Sequence, residues 1–175
     1  MSDFGHAVSV ILYHEGGFTN NQNDSGNWTG GKKHKGELRG TKYGISAAAY
    51  PHLDIESLTK DDAKEIYKKD YWNKVRGDKL PFPVALYLFD MAVNMGVKRS
   101  VKMLQGIVGV KRDGIIGPKT IGKIACFSSI YLTEQLAYER IMYYTRLKDF
   151  EHFGKGWVRR SVETLTTAIQ GRNNG

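Results

Sequence analysis

The chain has 175 residues, enough for one compact domain or one core with two lobes. An apolar share of 41% excludes a globally disordered chain, and a formal net charge of +8 points to an anionic partner: nucleic acid, a membrane surface or a cell-wall polymer. One cysteine, Cys126, excludes an internal disulfide and a cysteine-rich zinc site; it reads as a small buried hydrophobe.

Phe4, Val8, Ile11, Leu12 and Glu15 fall on one stripe at helical spacing. The apolar run from Ala7 to Tyr13 is too short to span a bilayer and follows acidic Asp3, so it makes a poor signal peptide. Synthesis in the cytosol is the expectation. From Phe18 to Gly40 the chain turns rich in Asn and Gly, which suits a hairpin region or a long, functional loop. Ser46 is a candidate cap for a short helix ended by Pro51. Thr59, followed by Asp61 and Asp62, starts a helix carrying Ala63, Ile66, Tyr67 and on to Tyr71. Pro81 and Pro83 open an apolar, central helix from Val84 to Val93, ended by Gly96. Val101, Leu104, Ile107 and Val108 mark the next, stopped by Gly109. Pro118 opens a short helix to about Ala125, and Ser128 or Ser129 caps a long one through Leu147. A last helix carries Trp157, Val158, Val162 and Leu165, with a frayed end from Gly171 to Gly175. The pattern predicts a mainly α fold with a small β or loop region near the N-terminus.

Glu15 closes the first stripe just before Gly16-Gly17. If the stripe faces a core, apolar neighbours and the negative end of the helix favour the protonated acid there, as a general acid for glycoside cleavage requires. Such cleavage generally needs a second carboxylate, and Asp24, in the polar loop, is the candidate; Asp24-Ser25-Gly26 also reads simply as a turn. Thr41 and Tyr43 return after the loop, where a hydroxyl would orient water, and either residue reads equally well as structural. Trp28 is the tryptophan placed for sugar stacking, whereas Trp72 and Trp157 read as core. Asn94 and Gln105 adjoin apolar helical stretches, either to hydrogen-bond sugar groups or to satisfy backbone as buried amides. Lys32, Lys33, His34, Lys35 and Arg39 form a basic, solvated loop face.

The five histidines show no metal spacing, since Phe18 occupies the second His position of His-Glu-x-x-His. No phosphate loop or Gly-x-Ser-x-Gly occurs. No metal and no cofactor are expected.

His14-Glu15-Gly16-Gly17-Phe18, Asp24-Ser25-Gly26 and Thr41-Lys42-Tyr43-Gly44-Ile45 together resemble the catalytic segment of family 108 glycoside hydrolases, N-acetylmuramidases known mostly as phage endolysins and prophage lysozymes. The resemblance continues through Leu58-Thr59-Lys60-Asp61-Asp62-Ala63, Tyr71-Trp72 and the stretch from Phe89 to Gly96. From there the chain resembles the peptidoglycan-binding region that usually follows, through Leu104-Gln105, the stretch from Asp113 to Thr120, and Gly156-Trp157-Val158-Arg159-Arg160. This implies a lysozyme-like, two-lobed fold, with a catalytic segment over 1–95 and a helical peptidoglycan-binding-like segment over 96–175, packed as one globular unit. It implies cleavage of the β-1,4 bond between N-acetylmuramic acid and N-acetylglucosamine, with Glu15 as proton donor. The basic stretch from Trp28 to Gly40 departs from the shorter, Pro- and Gly-rich link of the family. The implied partner is the glycan strand, met by a monomer in the periplasm after release through a separate pore protein. Its basic surface would touch anionic membrane weakly, and no nucleic acid is bound.

Two enzyme readings follow: hydrolysis, or the lytic transglycosylase reaction, which needs one Glu and ends in an anhydro sugar. A non-catalytic wall binder and a basic nucleic-acid binder are the alternatives from another class. Lys155, Arg159, Arg160 and Arg172 around an apolar stripe also admit a membrane-disturbing C-terminal helix, though an ordinary core helix with a charged outer face is the favoured reading.

Overall fold

The computed structural model describes residues 3–171. Among them run seven α-helices: α1 (Asp3–His14), α2 (Lys60–Tyr67), α3 (Phe82–Met95), α4 (Val97–Val108), α5 (Pro118–Ile124), α6 (Ser129–Tyr144) and α7 (Phe150–Gln170). Between α1 and α2, β1 (Thr41–Lys42) and β2 (Ile45–Ser46) pair antiparallel, Thr41 opposite Ser46 and Lys42 opposite Ile45. The expected class holds: mainly α, with its small β element near the N-terminus.

Two compact units result. One is Val8–Tyr67; the other joins the residues up to Ala7 with those from Lys68 onward. The expected boundary at 95/96 divides sequence segments, whereas packing groups α3 with the helices that follow it.

In the helical unit, α3 packs against α4, α6 and α7. A helix enclosed on all sides must be apolar all round, and Pro83 to Ala92 are buried without interruption. Asp90 is the exception, and two arginines answer it. Arg140 Nη1 on α6 lies 2.7 Å from Asp90 Oδ2, and Arg160 on α7 donates to Oδ1 from Nε at 3.0 Å and Nη2 at 2.8 Å. Burial alone would raise the Asp90 carboxyl, but the two guanidiniums outweigh it and hold it below the usual carboxylate range. Arg140 Nε donates to Tyr144 Oη at 2.8 Å, and its guanidinium lies 5.5 Å from the ring centres of Tyr87 and Tyr144. Tyr87 and Ser161 share a 2.6 Å hydroxyl–hydroxyl bond. Small buried residues on α7, Gly154, Ser161, Thr164 and Ala168, give that helix its inward face. The first turn of α1 adds Phe4, whose ring lies 5.7 Å from buried Trp72 and 6.3 Å from Phe89.

Several local expectations change. Cys126 is exposed, because it follows α5 in a turn rather than lying on a helix stripe. No helix begins at Ser46: that residue ends β2, and its carbonyl accepts Ala49 N and Tyr50 N in a tight turn. Leu147 falls beyond α6, which stops at Tyr144. Arg160 belongs to the interior triad, so α7 does not present the continuous basic face considered above; Arg172 lies outside the described residues. Thr59 does cap α2, and Asp62 reciprocates: Asp62 N donates to Thr59 Oγ1 at 3.1 Å and Thr59 N to Asp62 Oδ2 at 2.9 Å.

Candidate active site

The turn-rich unit, Val8–Tyr67, holds Glu15. Buried Val8 and Ile11 fix the end of α1, and Glu15 N still donates to Ile11 O at 3.1 Å, so Glu15 closes the last turn. The chain then leaves through Gly16-Gly17 and lies along β1. Thr19 and Thr41 exchange backbone bonds of 2.9 and 2.8 Å, and Tyr43 N donates to Gly16 O at 3.2 Å. The motif after the long loop is thereby tied to the segment leaving Glu15.

The turn joining β1 to β2 is the two-residue kind that follows strand twist only with left-handed backbone at both positions. Tyr43 has φ 52° and Gly44 φ 75°. Gly44 is required for a second reason. A Cβ placed there would lie 2.8 Å from Glu15 Oε2 and 2.9 Å from its Cδ, and would overlap the Tyr67 hydroxyl. That hydroxyl donates to Tyr43 O at 2.9 Å. The Glu15 carboxyl is therefore half-buried against a bare glycine backbone, with the hydroxyl of buried Tyr67 beside the same point. Tyr67 went unassigned as a site residue because its helical spacing explains it as core; only the hydroxyl, at the last position of α2, hinted otherwise.

Asp24 is exposed and caps the 3-10 turn Ser25–Asn27, with Oδ1 accepting Gly26 N at 2.8 Å. The turn reading is thus realised, and one carboxylate oxygen is left without a protein hydrogen bond among the described residues. Asn27, which the sequence reading passed over, organises the loop. It is fully buried; Nδ2 donates to Asn21 O at 3.0 Å, Oδ1 accepts the Thr41 hydroxyl at 2.7 Å, and its carbonyl accepts Arg39 N and Gly40 N, both at 3.0 Å. Asp24, Asn27 and Thr41 are so linked. An Asn in an Asn-rich loop carries no periodic signal, and only its burial separates it from its neighbours.

Trp28 donates Nε1 to Gln22 O at 3.0 Å, and its ring lies 5.1 Å from that of His34. The basic stretch is a closed hairpin: Thr29 N donates to Glu37 O at 2.9 Å and Gly30 N to Lys35 O at 3.0 Å, with Lys32, Lys33 and Lys35 exposed. The remaining two candidates belong to the helical unit. Asn94 lies exposed near the end of α3, with Nδ2 donating to Asp90 O at 2.9 Å. Gln105 is 1% exposed; Nε2 donates to Asp113 Oδ1 at 2.7 Å and Ile115 O at 3.0 Å, and Oε1 accepts Gly114 N at 2.8 Å. Its amide clamps the Asp113–Ile115 turn and has no face left for a ligand. The Gln105 and Ile115 N–H bonds hold the Asp113 carboxyl below its usual range. No three His, Cys, Asp or Glu side chains converge as a metal site among the described residues.

A family model described as Glycosyl hydrolase 108 matches residues 8–96, and one described as Predicted Peptidoglycan domain matches residues 99–162. Among solved structures, the chain is similar to Brucella abortus SagA at 33% identity and a TM-score of 0.81, over 95% of this chain and 94% of that one. No match was found among curated proteins.

Proposed function

This chain belongs to the glycosyl hydrolase 108 family, with a peptidoglycan-domain segment after the catalytic one, and we propose that it hydrolyses the β-1,4 bond between N-acetylmuramic acid and N-acetylglucosamine with Glu15 as general acid. Membership makes it a glycoside hydrolase directed at peptidoglycan, with a lysozyme-like, mainly α fold. The observation that carries the finer reading is the Glu15 carboxyl at the end of α1, seated against Gly44 of the Thr-Lys-Tyr-Gly-Ile hairpin. A carboxyl at the foot of a glycine turn can be approached by a bulky sugar ring where a side chain at position 44 would block it.

In this reading Glu15 protonates the bridging oxygen as the bond from that oxygen to the anomeric carbon breaks, leaving positive charge on the ring. Thr41, its hydroxyl hydrogen directed at Asn27, offers lone pairs to a hydrogen of the attacking water. Asp24 offers the carboxylate oxygen not used in its turn, to hold that water or to balance the ring charge. Tyr43 flanks Gly44, and Trp28 supplies an aromatic face at the loop; both would contact sugar. On the helical unit Asn94 keeps an exposed amide oxygen that would suit an N-acetyl or hydroxyl group, whereas the bonds of Gln105 leave it no face for sugar.

The turn at Asp24 also gives the transglycosylase reading some footing, since half of that carboxylate is occupied with backbone. Digestion of purified peptidoglycan separates the two. Hydrolysis gives fragments with a reducing N-acetylmuramic acid end, whereas transglycosylation gives anhydro fragments lighter by one water. Binding to sacculi without any released fragment would overturn both.

A further inference from the structure

A hollow of about 660 Å³ lies on the helical unit, lined from α4, α6 and the turn after α4. Its rim is cationic: Lys98, Arg99, Lys102 and Arg112 face it, against Glu139 as the acidic lining residue. Met95, Met103 and Ile107 form its apolar part. One of the cations is held in place, and a second lies close against α4. Arg99 Nη1 donates to Met95 O at 3.3 Å while its guanidinium lies 4.8 Å from the centre of the Tyr143 ring. Arg112 lies flat on α4 at Gly106, where any Cβ would overlap its guanidinium. Glycine in mid-helix lowers helix propensity; what it provides here is the recess that seats Arg112.

We propose that this groove is a second, non-catalytic subsite that binds the carboxylate-bearing stem peptide of peptidoglycan. The identification of the polymer rests on the proposed hydrolysis of peptidoglycan. The two guanidiniums in the lining suit carboxylates, because a planar fork of donors matches the two oxygens. The apolar floor suits the aliphatic segments between the carboxylates. The occupant is short and polyanionic, as the stem is and the neutral part of the glycan is not. The groove residues from Arg99 onward lie in the segment matched by the peptidoglycan-domain model.

The test titrates a soluble, glycan-free stem tetrapeptide into the full chain and follows backbone amide shifts by NMR. Because no glycosidic bond is present, the result does not depend on Glu15 or on which bond is cut. Saturable shifts at α4 and α6 are expected. Binding should weaken about tenfold in Lys102→Ala/Arg112→Ala and in the tetrapeptide with its carboxylates amidated. Lys123→Ala, which removes a charge on α5 outside the groove, should bind as the parent does. Gly106→Ala gives the sharper sign: displacing Arg112 should weaken the peptide while thermal stability stays level or rises. On intact sacculi the groove variants should release fragments more slowly, yet cleave peptide-free glycan at the parent rate. Absence of shifts at α4 and α6 at millimolar peptide would overturn the proposal. So would equal weakening by Lys123→Ala, or shifts there with a DNA oligonucleotide or anionic vesicles but none with the peptide.

Discussion

The two units of this chain solve opposite problems. The helical unit is built around α3, where burial decides nearly every position and one charge, Asp90, is matched by two arginines from α6 and α7. The turn-rich unit has few apolar anchors between Phe18 and Gly44; side chains bonded to backbone hold it, chiefly Asn27 and Thr41, together with the left-handed turn at Tyr43-Gly44. The first arrangement gives stability, and the second places reactive groups on irregular backbone that a helix would not allow. Changes in the helical unit should therefore act on folding first, and changes in the turn-rich unit on catalysis beyond their effect on folding.

The largest stability effect should come from Asp90→Ala, which removes the carboxylate from the buried Arg140 guanidinium. A loss of about 3–5 kcal/mol is expected, readable by urea denaturation. Asn27→Ala should cost about 2 kcal/mol, through unsatisfied groups at Thr41 and Asn21. Unlike Asp90→Ala measured under folded conditions, it should also depress glycan cleavage, because Thr41 loses its orientation. An Asn27→Ala protein with full activity per folded molecule would erase the contrast between the units. Gly44→Ala should cost roughly 1–2 kcal/mol from its left-handed backbone. Its effect on cleavage should be out of proportion to that loss, since the added methyl meets the Glu15 carboxyl.

A smaller effect is set by pH. The folded Asp90 carboxyl is held below its ordinary value, so its contribution is fully present above about pH 4–5 and is lost as pH falls toward the folded value. The stability gap between the parent and Asp90→Asn should stay level from neutral pH to about 5 and narrow below 4, as followed by acid titration of the unfolding midpoint. The smallest effect concerns approach to the wall: with a net charge of +8, the rate on sacculi should decline several-fold as salt rises from low to physiological strength. A rate indifferent to salt would remove electrostatic steering without touching the chemistry.

The same contrast explains what the sequence made legible. Helical periodicity found α3, α4 and α6 because burial repeats every three to four residues, and the Thr59 and Ser128 caps were readable because capping is local. The triad was not: Asp90 stands in the Phe89–Gly96 stretch and Arg160 among the basic residues of the last helix, and pairing across 70 residues leaves no local trace. The place of Glu15 at the end of α1 was legible from the Gly16-Gly17 that follows it, but its neighbours Gly44 and Tyr67 were not, since they arrive through the hairpin and the end of α2. Gln105 was ambiguous as a helical amide, and only its partners at Asp113, Gly114 and Ile115 resolved it.

Proton donation by Glu15 is tested most directly by Glu15→Gln acting on purified peptidoglycan, with folding checked by its unfolding midpoint. Release of soluble fragments should fall by about a hundredfold or more while the midpoint stays at the parent value. Release at the parent rate from the folded variant would contradict the account.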